Sequence, residues 1–336
     1  MDLSLLLGVG RFVLATTLLL LLTVPTAFII IYLELKVIAL MQLRIGPNRV
    51  GPAGVFQSAI HGFKVLAKED FTPDQADRPV FTMAPWMVFM AAAMSMLVIP
   101  FAPGLVAFDS QISVIYFFAI IGLSVVGLLV AGWASYNKYS LLGGLRSAAQ
   151  MVSYEIPLTL SIVGVVILTG TLSFTEIIAW QHAHGWAILW QWIGLPVFFI
   201  ASTAEINRTP FDMVEADSEI VAGFATEYSG MRFGFFFFAE YVSLFIMSAI
   251  LVTLFFGGWL APWPFPAQLS GFGGMVYGLF WFLLKTYFFV FVSIWARATL
   301  PRVRVDQLMG MAWKVLLPLA LVNLFITAIV VVVFNL

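Results

Sequence analysis

Long, nearly uncharged apolar runs make up most of this chain of 336 residues. A helix needs roughly 20 apolar residues to cross a bilayer, and clusters of Gly, Pro and charged residues separate runs of about that length. The runs are apolar on every face, which favours transmembrane helices over the alternating strands of a β-barrel. The pattern therefore predicts an all-α, polytopic fold with about eight spans, at residues 12–33, 82–102, 113–135, 150–171, 186–205, 233–257, 275–296 and 315–335.

Composition supports the same fold class. Hydrophobic residues make up 62% of the chain and charged residues only 10%, against about 25% charged residues in soluble domains. The net charge of −1 gives no reason to expect nucleic-acid binding. The first run has no small-residue cleavage site and is too long for a signal-peptide core, so it predicts a retained span. We expect residues 1–336 to form one membrane domain.

The basic residues indicate an orientation. The first, third, fifth and seventh connections between the predicted spans hold fourteen of the 16 Lys and Arg residues, and the second, fourth and sixth hold none. Basic residues stay on the cytoplasmic side. The odd connections should therefore lie in the cytoplasm, or the matrix, with both termini on the outer side.

The first connection contains a predicted amphipathic helix at residues 53–68. Phe56 and Phe63 share one face with other apolar residues, and Lys64 and Lys68 lie opposite, as in a helix that lies along the membrane surface. Such a helix either anchors the chain or also borders an entrance for a lipid-like substrate.

The fifth connection, residues 204–219, is rich in acidic residues. Thr209 followed by Pro210, with Asp212 three residues after Thr209, is a helix N-terminus signature, so a short helix is predicted to start there. At 100° per residue, Asp212, Glu215 and Glu219 fall on one face. This face is either solvated or partly buried close to Glu205 and Arg208, and a buried setting would favour protonation.

Three charges fall inside predicted spans, namely Glu155, Glu240 and Lys285. A charge at the centre of a span costs about 2.5–3.5 kcal/mol on insertion scales. Each should therefore have a partner or a purpose. Lys285 could pair with a glutamate, or the carboxylates could relay protons through a hydrated interior.

The sequence offers no site for a redox cofactor or a metal. It has no cysteine, which excludes disulfides, iron–sulfur clusters and thiol catalysis. The histidines lie in connections or at their edges, so no pair could hold a haem between spans. We expect this chain to bind no redox cofactor and no metal of its own.

Several blocks of residues carry a family resemblance. They include Arg-Ile-Gly-Pro-Asn-Arg-Val-Gly-Pro at 44–52 and Ala-Gln-Met-Val-Ser-Tyr-Glu at 149–155, and others lie at 68–70, 132–135, 138–143, 204–219, 227–230 and 297–309. In this order they resemble the H-subunit family of proton-pumping NADH:quinone oxidoreductase, respiratory complex I, the counterpart of mitochondrial NADH dehydrogenase subunit 1. The resemblance covers almost the whole chain.

The resemblance implies a place in a large assembly. It implies that the odd connections pack against peripheral-arm subunits, that other membrane-arm subunits flank the chain, and that the chain forms the entrance and wall of a chamber for the substrate quinone. NADH, FMN and the iron–sulfur clusters would be held by partner subunits. The expected location is the bacterial inner membrane, rather than the mitochondrial one.

The resemblance also implies roles for particular residues. A proton path would include six carboxylates, Glu155, Glu205, Asp212, Glu215, Glu219 and Glu227, and the chamber rim would include four arginines, Arg44, Arg297, Arg302 and Arg304. The chain departs from the family pattern at Leu35, where an arginine is usual, and at His61, where an aspartate is usual. Because a basic and an acidic position both change, we expect a lost ion pair and assign no quinone-binding role to Leu35. A milder departure is Tyr136, which stands where asparagine is usual.

Two other functions remain possible at this stage. An equivalent subunit of a related complex, fed by reduced ferredoxin, another reduced cofactor or a hydrogenase, would have the same features. An autonomous ion-coupled transporter is disfavoured, because the chain shows no internal repeat.

Overall fold

The computed structural model describes residues 3–213, 220–262 and 271–334, and regular structure in those ranges is helical. The predicted all-α class is confirmed. The α-helices described are α1 Leu3–Met41, α2 Gln57–Leu66, α3 Arg78–Ser95, α4 Ser113–Ala134, α5 Lys138–Thr169, α6 Phe174–His184, α7 Gly194–Glu205, α8 Gly230–Phe255, α9 Phe272–Thr299, α10 Val305–Met311 and α11 Leu317–Phe334.

Among the described residues, 7 helical stretches are long and apolar enough to cross a membrane. They confirm a polytopic membrane protein, although the predicted total of eight spans is not matched. The stretches are Thr23–Met41, Arg78–Val98, Ser113–Ala134, Lys138–Thr169, Gly230–Phe255, Phe272–Thr299 and Val305–Phe334.

The predicted span at 186–205 differs from the others. Its helix, α7, has 12 residues, which is about 18 Å at 1.5 Å per residue and short of a hydrocarbon core of about 30 Å. In the part of this predicted span that precedes α7, the regular structure is the 3₁₀ turn Ala187–Leu189. A polar residue, Gln191, interrupts the apolar run there.

Gln191 is fully buried and belongs to a polar group inside the membrane domain. Its side-chain nitrogen donates to Thr327 Oγ1 (2.6 Å), and its side-chain oxygen accepts from Asn323 Nδ2 (2.7 Å). Gly164 and Gly194 leave room for this pair, since a Cβ on either would lie within about 3 Å of it. Buried polar side chains that bond one another hold membrane helices together, so this group ties α11 to α5 and to the start of α7.

Helix α1 extends beyond its predicted end at residue 33. It continues to Met41, which places Glu34 and Lys36 on the helix and not in the connection. Lys36 Nζ donates to Pro47 O at 2.7 Å. Glu34 is buried, one and two turns after the buried residues Ile30 and Ala27, because it lies on the same helix face.

Helix α8 forms the centre of the domain. It packs against α1, α2, α3, α6, α7 and α9, and most of its residues are buried. Helices α4 and α5 approach closely at glycines: a Cβ on Gly132 would lie 3.1 Å from Gly144 Cα. Small residues at such crossings let membrane helices approach backbone to backbone.

A helix lies within the predicted amphipathic stretch 53–68: α2 covers Gln57–Leu66 and packs on α1 and α8. Its residues Phe63 and Leu66 are exposed, as is Phe56 just before it. A helix that lies along a membrane surface presents such an apolar face to lipid.

The predicted helix start at Thr209 is wrong. Residues 208–211 form a turn, closed by the bond from Phe211 N to Arg208 O (2.8 Å), and residues 212 and 213 have no regular structure. The carbonyl groups here bond to other elements: Phe211 O accepts from Gln150 Nε2, and Pro210 O accepts from Val303 N. These long-range bonds outweigh the local capping signal. The rest of the predicted helix, residues 214–219 with Glu215 and Glu219, lies outside the described residues.

Candidate functional site

A buried arginine joins three parts of the chain. Arg208, in the turn after α7, lies with Nη1 3.0 Å from Glu34 Oε2 on α1 and with Nε 2.8 Å from Glu240 Oε1 on α8. Its side chain is only 3% exposed. Its guanidinium lies 4.4 Å from the ring centroid of Tyr241, a favourable cation–π position.

A second arginine extends the group. Arg297 Nη1, near the end of α9, lies 2.6 Å from Glu34 Oε1. We call Arg297, Glu34, Arg208 and Glu240 the charge cluster. Its two positive and two negative side chains alternate, so each buried charge has an opposite neighbour, which offsets the cost of desolvation.

The charge cluster keeps Arg208 ionised. Burial alone would lower the pKa of the guanidinium, but the carboxylates of Glu240 and Glu34 outweigh that effect and raise the pKa. Arg208 therefore carries a permanent positive charge in the protein interior.

A partly open cavity lies beside the charge cluster. The volume of the cavity that water can occupy is about 90 Å³. Roughly 10–15 Å³ of such volume suffices for one water molecule. The walls are mostly apolar, with Glu205, Asn207 and Glu240 among the lining residues. The cavity has room for several water molecules next to two carboxylates.

Glu205 is a buried carboxylate among the predicted acidic residues. It is 3% exposed, and neither carboxylate oxygen has a hydrogen-bond partner among the described residues. Glu155, on α5, is partly buried and close enough to interact with Glu205 as a like charge. Glu155 and Glu205, predicted on one path, therefore lie together.

Asp212 and Glu227, the other predicted acidic residues that the structure describes, lie in different surroundings. Asp212 Oδ2 is 3.4 Å from Arg302 Nη2, and Arg302 Nε donates to the Asp212 carbonyl at 2.6 Å. Glu227 Oε1 accepts from Asn137 Nδ2 at 2.6 Å and lines an open cleft with residues 73–75 and 135–139.

The predicted basic rim does not form one group. Arg297 belongs to the charge cluster and Arg302 binds Asp212, whereas Arg304 is the N-cap of α10, where its backbone nitrogen donates to Gln307 Oε1. Arg44 is exposed and donates to Gln42.

In the part of the chain that the structure describes, Lys285 has carbonyl partners and not the glutamate considered from the sequence. Its Nζ donates to Phe256 O and Leu260 O, both at 2.8 Å, and lies 5.7 Å from the ring centroid of Trp186. These carbonyls follow the end of α8, where the helix dipole and unpaired carbonyl groups favour a cation. Lys285 therefore caps α8.

Sequence reasoning missed Glu34, because the predicted first span ended one residue before it. The spacing from Ala27 through Ile30 to Glu34 follows one helix face and would have indicated a buried carboxylate. Of the departures from the family pattern, Leu35 packs against the core, and exposed His61 stacks on Phe237 at 6.3 Å. Tyr136 has a left-handed backbone, with φ of 52°.

Comparisons with known proteins all indicate the same family. The family model described as NADH dehydrogenase matches residues 14–328. A protein from Brevibacillus brevis, named as the H subunit of NADH-quinone oxidoreductase, is 50% identical over 320 residues, covering 95% of this chain and 93% of the relative. Proteins of the same name are 49% identical in Geobacillus kaustophilus, covering 93% and 92%, and 48% identical in Dehalococcoides mccartyi, covering 91% and 82%.

Proposed function

The chain belongs to the NADH dehydrogenase family and is a membrane subunit of NADH-quinone oxidoreductase, and we propose that it links quinone reduction to proton translocation. In this proposal it forms the entrance and wall of the quinone chamber. NADH, FMN and the iron–sulfur clusters belong to the peripheral-arm subunits that pack against its odd connections, and other membrane-arm subunits flank it.

The observation that carries the proposal is the buried carboxylate of Glu205, which has no hydrogen-bond partner in the described part of the chain and lies at a cavity with room for water. An ionisable group inside a membrane protein is expensive and commonly marks a proton path. Glu155 and Glu240 are close by, and the path would continue through Asp212, Glu215, Glu219 and Glu227.

The charge cluster supports the quinone half of the proposal. Arg297 and Arg208 place permanent positive charges beside α1 and α8, and α2 packs on the same two helices with exposed apolar residues. An apolar quinone with polar carbonyl groups suits a passage with such an entrance. The basic rim of the chamber would also include Arg44, Arg302 and Arg304.

The names of the relatives favour NADH as the electron donor over ferredoxin or a hydrogenase. Membership of a multisubunit enzyme family also disfavours the autonomous transporter.

Neutralising Glu205 tests the function. Glu205→Gln keeps the shape of the side chain but removes the titratable proton, so the assembled complex should lose at least nine-tenths of its quinone reductase turnover and proton translocation together. Glu205→Asp should keep part of both. The measurements are NADH oxidation with a short-chain quinone and acidification by sealed vesicles, compared with Glu69→Gln, which changes an exposed carboxylate. Full pumping by assembled Glu205→Gln would refute the relay.

Orientation in the bacterial inner membrane is a separate part of the proposal. Exposed Gln111 lies in a connection without basic residues, and exposed Gln75 lies in the basic first connection. Since the chain has no cysteine, Gln111→Cys should react with a membrane-impermeant maleimide added to sealed spheroplasts, and Gln75→Cys should not. Labelling of Gln75→Cys under these conditions would reverse the orientation.

A further inference from the structure

One side chain on α5 holds the segment that carries Glu205 and Arg208. Gln150 is 2% exposed, and its Nε2 donates to Ala204 O and to Phe211 O, both at 2.8 Å. These carbonyls lie at the two ends of residues 204–211. A single amide nitrogen therefore closes this segment into a loop and fastens both ends to α5.

A second contact from α5 reinforces the same loop. Ser147 lies one turn before Gln150, and its Oγ accepts from Asn207 Nδ2 at 3.3 Å. Asn207 has a φ of 56°, in the left-handed region where asparagine is one of the few side chains commonly found. The loop thus has an unusual backbone shape that α5 supports at two points.

The loop and α5 both carry charged side chains whose positions relative to one another matter. Glu155 is five residues after Gln150 on α5, so it stays at a fixed distance from the two bonds. Glu205 and Arg208 are on the loop. The Gln150 bonds therefore set the position of Glu205 relative to Glu155, and the position of Arg208 relative to Glu34 and Glu240.

We propose that Gln150 is a positioning residue for quinone reduction, because its amide fixes the loop that carries Glu205 and Arg208 against α5. Gln150 acts through these residues and not on the quinone itself. The inference rests on the proposed function of Glu205.

The chemistry of the side chain makes the proposal specific. A glutamine amide has two N–H donors and no charge, so it can serve two carbonyl groups at once. A protonated glutamic acid has one O–H donor and a carboxylate has none. In Gln150→Glu, both burial and the facing carbonyl oxygens would disfavour the charged form and raise the pKa of the introduced carboxyl group.

The test uses the intact, purified complex with Gln150→Leu and Gln150→Glu. Ser153→Ala is the matched control, since Ser153 Oγ bonds only to Ala149 O within α5 among the described contacts. The readouts are hydrogen exchange of the backbone amides of 204–213, quinone reductase turnover across pH, and NADH oxidation with a hydrophilic artificial acceptor that bypasses the membrane domain.

In Gln150→Leu, we expect hydrogen exchange of the loop amides to be at least tenfold faster than in the unmodified complex. Quinone reductase turnover should fall at least tenfold, and the activity with the artificial acceptor should be unchanged. Gln150→Glu should keep part of its turnover at low pH and lose it reversibly as the introduced carboxyl ionises, giving an alkaline limb absent from the unmodified complex. Ser153→Ala should match the unmodified complex.

Unchanged loop exchange in Gln150→Leu, or faster exchange with full turnover, would overturn the proposal. Should Gln150→Leu not assemble, Gln150→Glu decides: a pH profile parallel to that of the unmodified complex would overturn it. Failure of this inference and failure of the proposed function are distinguishable, because Glu205→Gln tests the relay without disturbing either Gln150 bond.

Discussion

Replacement of Arg208 by leucine is expected to abolish quinone reduction and to lower the amount of assembled complex at least tenfold. Arg208 is almost fully buried between Glu34 and Glu240. Removing one partner of a buried ion pair costs about 3–5 kcal/mol, because it leaves a desolvated charge without compensation. The measurements are the subunit content of solubilised membranes and quinone reductase activity.

A second change should separate charge balance from a chemical role of Arg208. The double variant Arg208→Leu with Glu240→Gln removes one charge of each sign and keeps the pair of Arg297 with Glu34, so it should assemble better than Arg208→Leu alone. Arg232→Leu is the control, since its pair with Asp70 is partly exposed and such pairs contribute about 1 kcal/mol or less. Assembly of Arg208→Leu at the level of the unmodified complex would contradict the buried-pair interpretation.

Replacement of Lys285 by methionine should lower the amount of assembled complex but not its turnover. The change keeps an apolar stem of similar length but leaves Phe256 O and Leu260 O without the ammonium group that now binds both. Each unsatisfied buried polar group costs about 1–3 kcal/mol. We therefore expect a severalfold loss of assembled complex, with normal quinone reductase turnover in each complex that does assemble.

The ratio of activity to assembled subunit content distinguishes a capping role of Lys285 from a role in proton transfer. A capping lysine changes the amount of complex, whereas a proton relay changes turnover per complex. Lys314→Met, at an exposed position, provides the control. Normal assembly of Lys285→Met with lost proton translocation would show that Lys285 belongs to the proton path.

Much of the fold could be predicted, because a bilayer imposes simple rules on sequence. Long apolar runs predicted most of the long helices but not α6 or α10, and the spacing around Phe56 and Phe63 predicted a helix in the region of α2. The span at 186–205 was only partly right, since length and hydropathy do not report how Gln191 bonds with groups more than 100 residues away. For a related reason the predicted end of helix α1 at residue 33 is too early: a charged residue commonly ends a span, but Glu34 is buried between Arg208 and Arg297 and the helix continues.

The candidate site was less predictable than the fold. The sequence indicated that Glu240 and Lys285 needed partners, but those partners depend on helix contacts across the domain. Arg208 reaches Glu34 from 174 positions along the chain, and Lys285 finds backbone carbonyls, which carry no signal in sequence. At Thr209 the capping signal was genuine but local, and bonds from Gln150 and Val303 gave the segment another shape.

The contact between Gln191 and Asn323 has a consequence for biogenesis. Translation proceeds from the N-terminus, so the segment at 187–205 leaves the ribosome long before α11. Until α11 is inserted, Gln191 lacks its bonds to Asn323 and Thr327, and α7 alone is too short to hold the segment across the bilayer. We therefore expect the final integration of this segment to wait until α11 enters the membrane.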